Sequence, residues 1–481
     1  MRFTEQTISD IFGCEAAEDD SIEKLKDYYF KNDVYEKILN DLPIRILVGH
    51  KGIGKSATLK VSCAENEAKN HVCIWIRPDD IMELCQEPTG ILQMIRDWKK
   101  GLESIIFRMV MEKVGIGETP LAKPVGQLMN VITSTFRKKL EEDLDLSLTV
   151  KDTIQAALNK NKIFVYIDDL DRGWDGGTPS IQRISALLNA ARDLTNDNSG
   201  LCFRITLRSD VYFLVRTSDE STDKIGNSVI WYSWTQHEIL CMLAKRILRY
   251  EKKHIKDKQL LRLPQRKIAE YYDSIFESTF HSVGAWANIP TYKMLASMIR
   301  RRPRDLIKLC TLAARTAYEN DHEKIESNDW LDNFDQYSQE RLQDAVNEYK
   351  SELPSIERLL LGMKPSNRER RTKEEFLYTT ETLLQKIGII ENNQRFIFAK
   401  GTPASREELA AFMYKINFLV ARKKEEGSEV IDRRYFEDNK YLSNRFVDFG
   451  YKWEVHPAFR WALYPDGGDN IFNALSVDNE I

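Results

Sequence analysis

The sequence predicts an α/β fold, a parallel sheet layered between helices, on three observations. The run Arg45–Val48, rich in β-branched and apolar side chains, breaks into Gly49-His50-Lys51-Gly52-Ile53-Gly54-Lys55-Ser56 and then into a good helix opening at Ala57-Thr58-Leu59. Further on, Ile163–Ile167 is an apolar run that ends in the acids Asp168 and Asp169. A third run, Leu201–Leu207, ends in Arg208-Ser209-Asp210. Apolar runs separated by helical stretches read as strands of a parallel sheet buried on both faces.

The first stretch has the pattern G-x-x-x-x-G-K-S between a strand and a helix, the context that a phosphate-binding loop requires. Gly49, Gly52 and Gly54 let the backbone curl so that its N–H groups, from His50 through Ala57, point at a phosphate. The helix that follows adds its positive end to the same spot. Lys55 reaches the β- and γ-phosphate oxygens as a point charge, and the Ser56 hydroxyl completes the shell of a Mg²⁺ ion. The chain is thus expected to bind a nucleoside triphosphate with Mg²⁺. A glycine-rich turn with a stray Lys-Ser is the weaker alternative, because pattern and context both match.

The acidic strand end is read as its partner. A buried strand delivers carboxylates to its C-terminal edge, where α/β sheets bind ligands. Asp168 is expected to hold Mg²⁺, and Asp169 to orient or deprotonate the attacking water. On the next strand, Thr206 or Arg208 is placed to sense the γ-phosphate, with a surface arginine at a strand end as the equal alternative. Arg300-Arg301-Arg302-Pro303-Arg304 stands at the start of the helix DLIKLCTLAARTAY. Pro303 suits a first helical turn, where the helix dipole disfavours cations, so the four arginines are expected to meet triphosphate or an acidic surface, with a bound anion favoured.

Taken in order, residues 1–40 read as helices packing beside the first strand, through Leu25, Tyr28, Tyr29, Val34, Ile38 and Leu39. His71–Ile76 is a second strand, and 81–160 reads as a long helical insertion, with a Gly/Pro break at 115–124. A short strand at Ser228–Trp231 closes an ATPase-like domain over 41–235. Residues 236–350 look helical throughout, a lid. From 351 to 481 helices give way to a strand-rich, aromatic stretch, the order of a winged-helix-like domain, with a loose tail from GGDNIFN onward. His456, among Trp453, Phe459 and Trp461, reads as a packed corner rather than a catalytic base.

At 481 residues the chain is too long for one core and fits about two to four domains. Lys and Arg number 70 against 74 Asp and Glu, a net charge of −4, so no global basic field points to nucleic acid. No signal pattern opens the chain, and no apolar run approaches the roughly 18 residues of a membrane span. The seven cysteines contain no C-x-x-C pair and read as reduced, mostly buried side chains of a cytoplasmic protein.

GHKGIGKSA, IDDLDRGW, TLRSD and RRPRDLIKL, with the closing EVHPAFRWAL, resemble the bacterial KAP-like and STAND-type branch of the AAA+-related P-loop ATPases, over most of residues 10–465. The resemblance implies that Lys55 and Ser56 serve phosphate and Mg²⁺, that Asp168 and Asp169 serve Mg²⁺ and water, that Arg208 sits at the first sensor position, and that Pro303 and Arg304 sit at the second, near adenine and γ-phosphate. It also implies a homo-oligomer, a conditional switch of anti-phage defence that acts beside a separately encoded effector protein. One departure is Asp169, where such enzymes carry Glu, which implies slow hydrolysis; Arg172 is the weak candidate for an arginine finger.

A DNA-binding regulator that uses the winged helix is the other reading, and the acids of EEGSEVIDRRYFEDN weigh against it. GTP hydrolysis lacks an N-K-x-D element, an ABC-type dimer lacks S-G-G-Q, and no nuclease, protease or deaminase constellation is present.

Overall fold

The computed structural model describes residues 2–40, 42–82, 84, 90–114, 162–171, 177–198, 200–218, 225–371, 375–392, 394–399, 401–424, 431–439, 442 and 450–475. Arg172 and most of the expected helical insertion, 115–160, lie outside them.

Five parallel strands form the central sheet: β1 (Ile44–Gly49), β2 (Val72–Ile76), β3 (Ile163–Ile167), β4 (Leu201–Arg208) and β5 (Val229–Trp231), in the order β2-β3-β4-β1-β5. Strand alternation divides the apolar side chains between two faces. Ile46, Val48, Ile74, Val165, Phe203 and Ile205 pack in one core, while Leu47, Cys73, Phe164, Tyr166, Cys202 and Ile230 pack in the other. Both faces are buried, so the strands read as largely apolar runs rather than alternating ones, with the buried Arg204 and Thr206 of β4 as exceptions. This is the P-loop NTPase α/β fold that the sequence predicts, with a helical region after it.

The order of strands decides what meets at the sheet edge. The register pairs Gly49 with Arg208 and Ile167 with Ile205. The end of β4 therefore lies between the glycine-rich loop after β1 and the acids after β3.

The first forty residues divide in two. Leu25, Tyr28, Tyr29 and Tyr35 pack on Ala57 and Val61 of the helix Lys55–Ala68, whereas the first helix, Glu5–Phe12, crosses to the helices Gln236–Tyr250 and Pro303–Glu319. Its Phe12 ring stacks on Phe276 at 6.3 Å, so this part packs on the helical region 236–350 instead of lying beside the first strand.

The region 236–350 is mostly helical, as expected, but it also carries a two-stranded antiparallel ribbon, β6 (Thr279–Phe280) with β7 (Ile289–Pro290). Beyond it come the helix Ile356–Gly362, β8 (Leu377–Tyr378), the helices Thr380–Glu391 and Arg406–Lys415, and then β9 (Leu419–Lys424), β10 (Ile431–Arg434) and β11 (Lys452–Val455). That is the element order of a winged helix, its antiparallel sheet ordered β10-β9-β11-β8. The expected loose tail is corrected: Gly468–Ala474 is a helix, held because Ile471 and Phe472 are buried, the latter against Trp286 and Trp461. Among the described residues no helix is long and apolar enough to cross a membrane.

Charge is buried throughout this region. Glu454 takes Arg433 at 2.8 Å and Arg460 at 2.6 Å, and Asp305 takes Arg300 and Arg341, each at 2.8 Å. Burial works to raise both carboxyls, but the arginines outweigh it and hold both well below the usual range. His456 is fully buried, receives the Ala458 N–H on Nδ1 at 3.1 Å and faces the Tyr435 hydroxyl at 3.2 Å. Burial, with Arg300 and Arg433 nearby, pushes its pKa from 6.5 down to about 3. Below the unfolded value of 6.5 the unfolded chain takes up a proton that the folded chain refuses, so stability falls as pH drops. The expected result is a loss of about 1.4 kcal/mol per pH unit between about pH 6 and pH 5, read as a falling urea midpoint. The arginine-held carboxylates add to the fall only at lower pH, once unfolded acids begin to protonate. A midpoint flat from about pH 7 to pH 5 would contradict this.

Candidate nucleotide site

Where β1 ends, the chain turns through Gly52 at φ +77° and Gly54 at φ +98°, left-handed values that a side chain resists. A Cβ on Gly52 would also stand 3.2 Å from the Cβ of Arg304. The helix Lys55–Ala68 opens directly after Gly54 with no side-chain cap on its first N–H groups. Lys55 Nζ donates to the carbonyls of Gly49 at 2.9 Å and His50 at 3.0 Å, folding its charge over the loop. Burial draws the Lys55 pKa down, against the pull of Asp171, Glu348 and Asp168.

Facing the loop, Asp168 is the first residue past β3; it is buried and accepts a hydrogen bond from the Thr206 hydroxyl on β4. Asp169 follows at φ +56°, and that turn sets it, exposed, on the wall of the same cavity. Arg208, at the end of β4, donates to Asp210 through Nε at 3.1 Å and Nη2 at 2.6 Å, and lies 3.3 Å from Asp171. Burial weakens the Arg208 charge, but Asp210, Glu348 and Asp171 outweigh it and hold its pKa above the ordinary value.

The cavity between them holds about 230 Å³. Lys51, Gly52, Gly54, Lys55, Ser56, Asp168, Asp169, Thr206, Arg208, Pro303 and Arg304 all stand on its wall, so the structure brings together most of the residues that the sequence singles out. Gly49, His50, Ile53 and Ala57 do not stand there. The serine hydroxyl and the carboxylates are hard oxygen donors of the kind Mg²⁺ takes, so the residues present fit that ion.

The arginine cluster is corrected. Arg300 is spent on Asp305, Arg301 on Asp438 at 2.7 Å, and Arg302 on Glu348 at 2.8 Å; of the four, Arg304 alone lines the cavity. Internal carboxylates, rather than one bound anion, satisfy the cations at this helix start.

Sequence reasoning missed a strap across the loop. Glu348, at the end of the helix Phe334–Tyr349, accepts the Lys51 N–H at 2.9 Å, while Arg302 donates to the Lys51 carbonyl at 3.2 Å and the Arg304 N–H to that of Gly52 at 3.4 Å. His50 turns away from the cavity. Its Nδ1 lies 2.7 Å from the Tyr349 hydroxyl and 3.1 Å from that of Ser209, and its Nε2 lies 2.7 Å from Glu437 in the winged-helix region. Burial opposes ionisation of Glu437, yet the bond to His50 holds its pKa at about 2. Asp171 was visible in the acidic run; Glu348 and Glu437 carry no motif.

The architecture defines a P-loop NTPase α/β fold, with the loop covered by the helical region 236–350 and the region after it. The family model described as the FunZ-associated C-terminal helical domain matches residues 258–346, within the mostly helical region 236–350. The transposon gamma-delta 80.3 kDa protein of Escherichia coli (strain K12) is 21% identical to 98% of this chain, over 70% of its own length. The ORC2 protein of Aeropyrum pernix, solved as ADPNP-ADP complexes, is similar at TM-score 0.41 and 11% identity over 92% of each chain. The RuvB Holliday junction branch migration motor of Thermotoga maritima is similar at TM-score 0.32 and 11% identity, over 69% of this chain and 79% of its own.

Proposed function

We propose that this chain is an AAA+-related ATPase that binds ATP with Mg²⁺ and cleaves the β–γ bond. On this reading its nucleotide state gates self-assembly, and the assembled switch senses a trigger and licenses a separate effector, in bacterial anti-phage defence. The observation that carries the reading is the convergence of Lys55, Ser56, Asp168, Asp169 and Arg304 on one polar cavity, from separated points of the chain. Loop N–H groups and Lys55 hold the phosphates. Ser56 and Asp168 hold the magnesium ion, which neutralises charge on the β- and γ-phosphates when bound. Asp169 takes the proton of the attacking water, or orients that water, in line with the bond. Arg208 and Arg304 approach the γ-phosphate from β4 and from the lid, so loss of that phosphate frees the lid. In this scheme 41–235 is the ATPase domain, 236–350 the lid and 351–481 the winged-helix-like domain.

A DNA-reading role for the winged helix receives less support. The helix Arg406–Lys415, in the place of a reading helix, buries Leu409, Phe412, Met413 and Tyr414, and exposes Glu407 and Glu408 at its start. Its Lys415 is held by Glu352 at 2.8 Å. The name of the transposon relative is what favours a role near mobile DNA.

The test is mass by light scattering without nucleotide, with ADP, and with ATP and Mg²⁺. Growth with ATP that persists in Asp169→Asn supports the switch. A mass indifferent to nucleotide overturns gated assembly, and an absence of ATP turnover overturns the enzyme.

A further inference from the structure

The wall of the same cavity also carries Glu15, Ala17, Arg246 and Ile307, residues of the N-terminal segment and of the helices Gln236–Tyr250 and Pro303–Glu319. Arg246 lies on the helix Gln236–Tyr250 and is only 5% exposed, yet its Nε and Nη1 are buried without a hydrogen-bond partner. Its guanidinium carbon sits 4.1 Å from the centre of the Tyr28 ring, and the Tyr28 hydroxyl donates to Asp20 at 2.6 Å, which fixes that ring. A buried guanidinium that leaves nitrogens unpaired is costly, and its place on a cavity wall lets the acceptors of a ligand bound there offset its charge. A guanidinium offers donors only, so the partner must bring acceptors.

We propose that Arg246 is the base-recognition residue of the nucleotide site, donating to acceptor atoms of a purine ring while Tyr28 supports its guanidinium from below. This rests on the nucleoside triphosphate reading: with phosphates on the loop at Gly52–Ser56, the base is the part of the ligand left to meet Arg246 on the wall of the same cavity. A purine carries ring-nitrogen acceptors that a bare polyphosphate lacks, so Arg246 separates the two ligands. It is a specificity residue, and the chemistry at the phosphates does not pass through it.

The experiment is titration calorimetry on the full chain, comparing ATP with inorganic tripolyphosphate, both with Mg²⁺, for wild type, Arg246→Met and Arg246→Lys. Arg246→Met is expected to weaken ATP about tenfold or more and to leave tripolyphosphate unchanged. Arg246→Lys keeps the charge and most of the apolar stem, guarding against misfolding, and is expected to show the same selective loss, because a point charge does not replace the planar fork. Equal weakening of both ligands, or no change in either, overturns the assignment while leaving the ATPase reading in place. Wild type that binds neither ligand overturns the nucleotide site itself, and this inference with it.

Discussion

Lys55→Ala removes tight ATP binding, whereas Asp169→Asn keeps binding and stops turnover. Lys55 is a half-buried cation at the loop, and its ammonium is already turned over the Gly49 and His50 carbonyls at 2.9 and 3.0 Å. Its loss deletes a charge-assisted donor to phosphate, so ATP affinity is expected to fall about 100-fold, as measured by calorimetry. Alanine is well tolerated at the start of a helix, so the fold should survive. Asp169 occupies a left-handed backbone at φ +56°, which asparagine accepts as readily as aspartate, so the substitution keeps the backbone turn and removes the charge. Its loss as a general base is expected to lower kcat about 10²- to 10⁴-fold with ATP affinity close to wild type. Full turnover in both variants would remove the assignment of this cavity to hydrolysis.

What could be read in the sequence was local. The strand–loop–helix unit at 45–60 and the strand ending in Asp168-Asp169 each hold their meaning within a few residues, because backbone conformation, burial and chemistry all depend on immediate neighbours there. The arginine run was misread for the opposite reason. Arg300, Arg301 and Arg302 look like an anion site until Asp305, Asp438 and Glu348 are brought beside them, and two of these partners lie far along the chain. The same holds for Glu437 on His50 and for Arg246, whose environment depends on Glu15, Ala17 and Tyr28 from the first thirty residues. A lone arginine on an amphipathic helix has no pattern to mark it. The tail helix Gly468–Ala474 was overlooked because two glycines and an aspartate open it, while its anchors, Ile471 and Phe472, find their partners only in the folded chain.

Glu348→Ala should cost the most stability of any single change at the site. Glu348 is 2% exposed and does two jobs: it pairs with Arg302 at 2.8 Å and accepts the Lys51 N–H at 2.9 Å. Arg302 is itself buried, with Nε and Nη2 already unpartnered, so removing the carboxylate leaves an uncompensated cation in the interior. Breaking one side of such a pair costs about 3–5 kcal/mol, to be read as a lowered urea midpoint. Burial alone would raise the Glu348 carboxyl, but Arg302, His50 and Arg208 hold it well below the usual range. Its stabilisation is therefore present above the unfolded carboxyl value of 4.5 and is lost as pH falls below it. Glu348→Gln keeps an acceptor for Lys51 without the charge, so it should cost less than alanine and should flatten the acid limb of the stability profile. Because the strap fixes the loop proposed to hold the phosphates, both variants are expected to weaken ATP, the alanine variant more. An alanine variant as stable as wild type, with ATP affinity unchanged, would mean that the lid does not hold the loop.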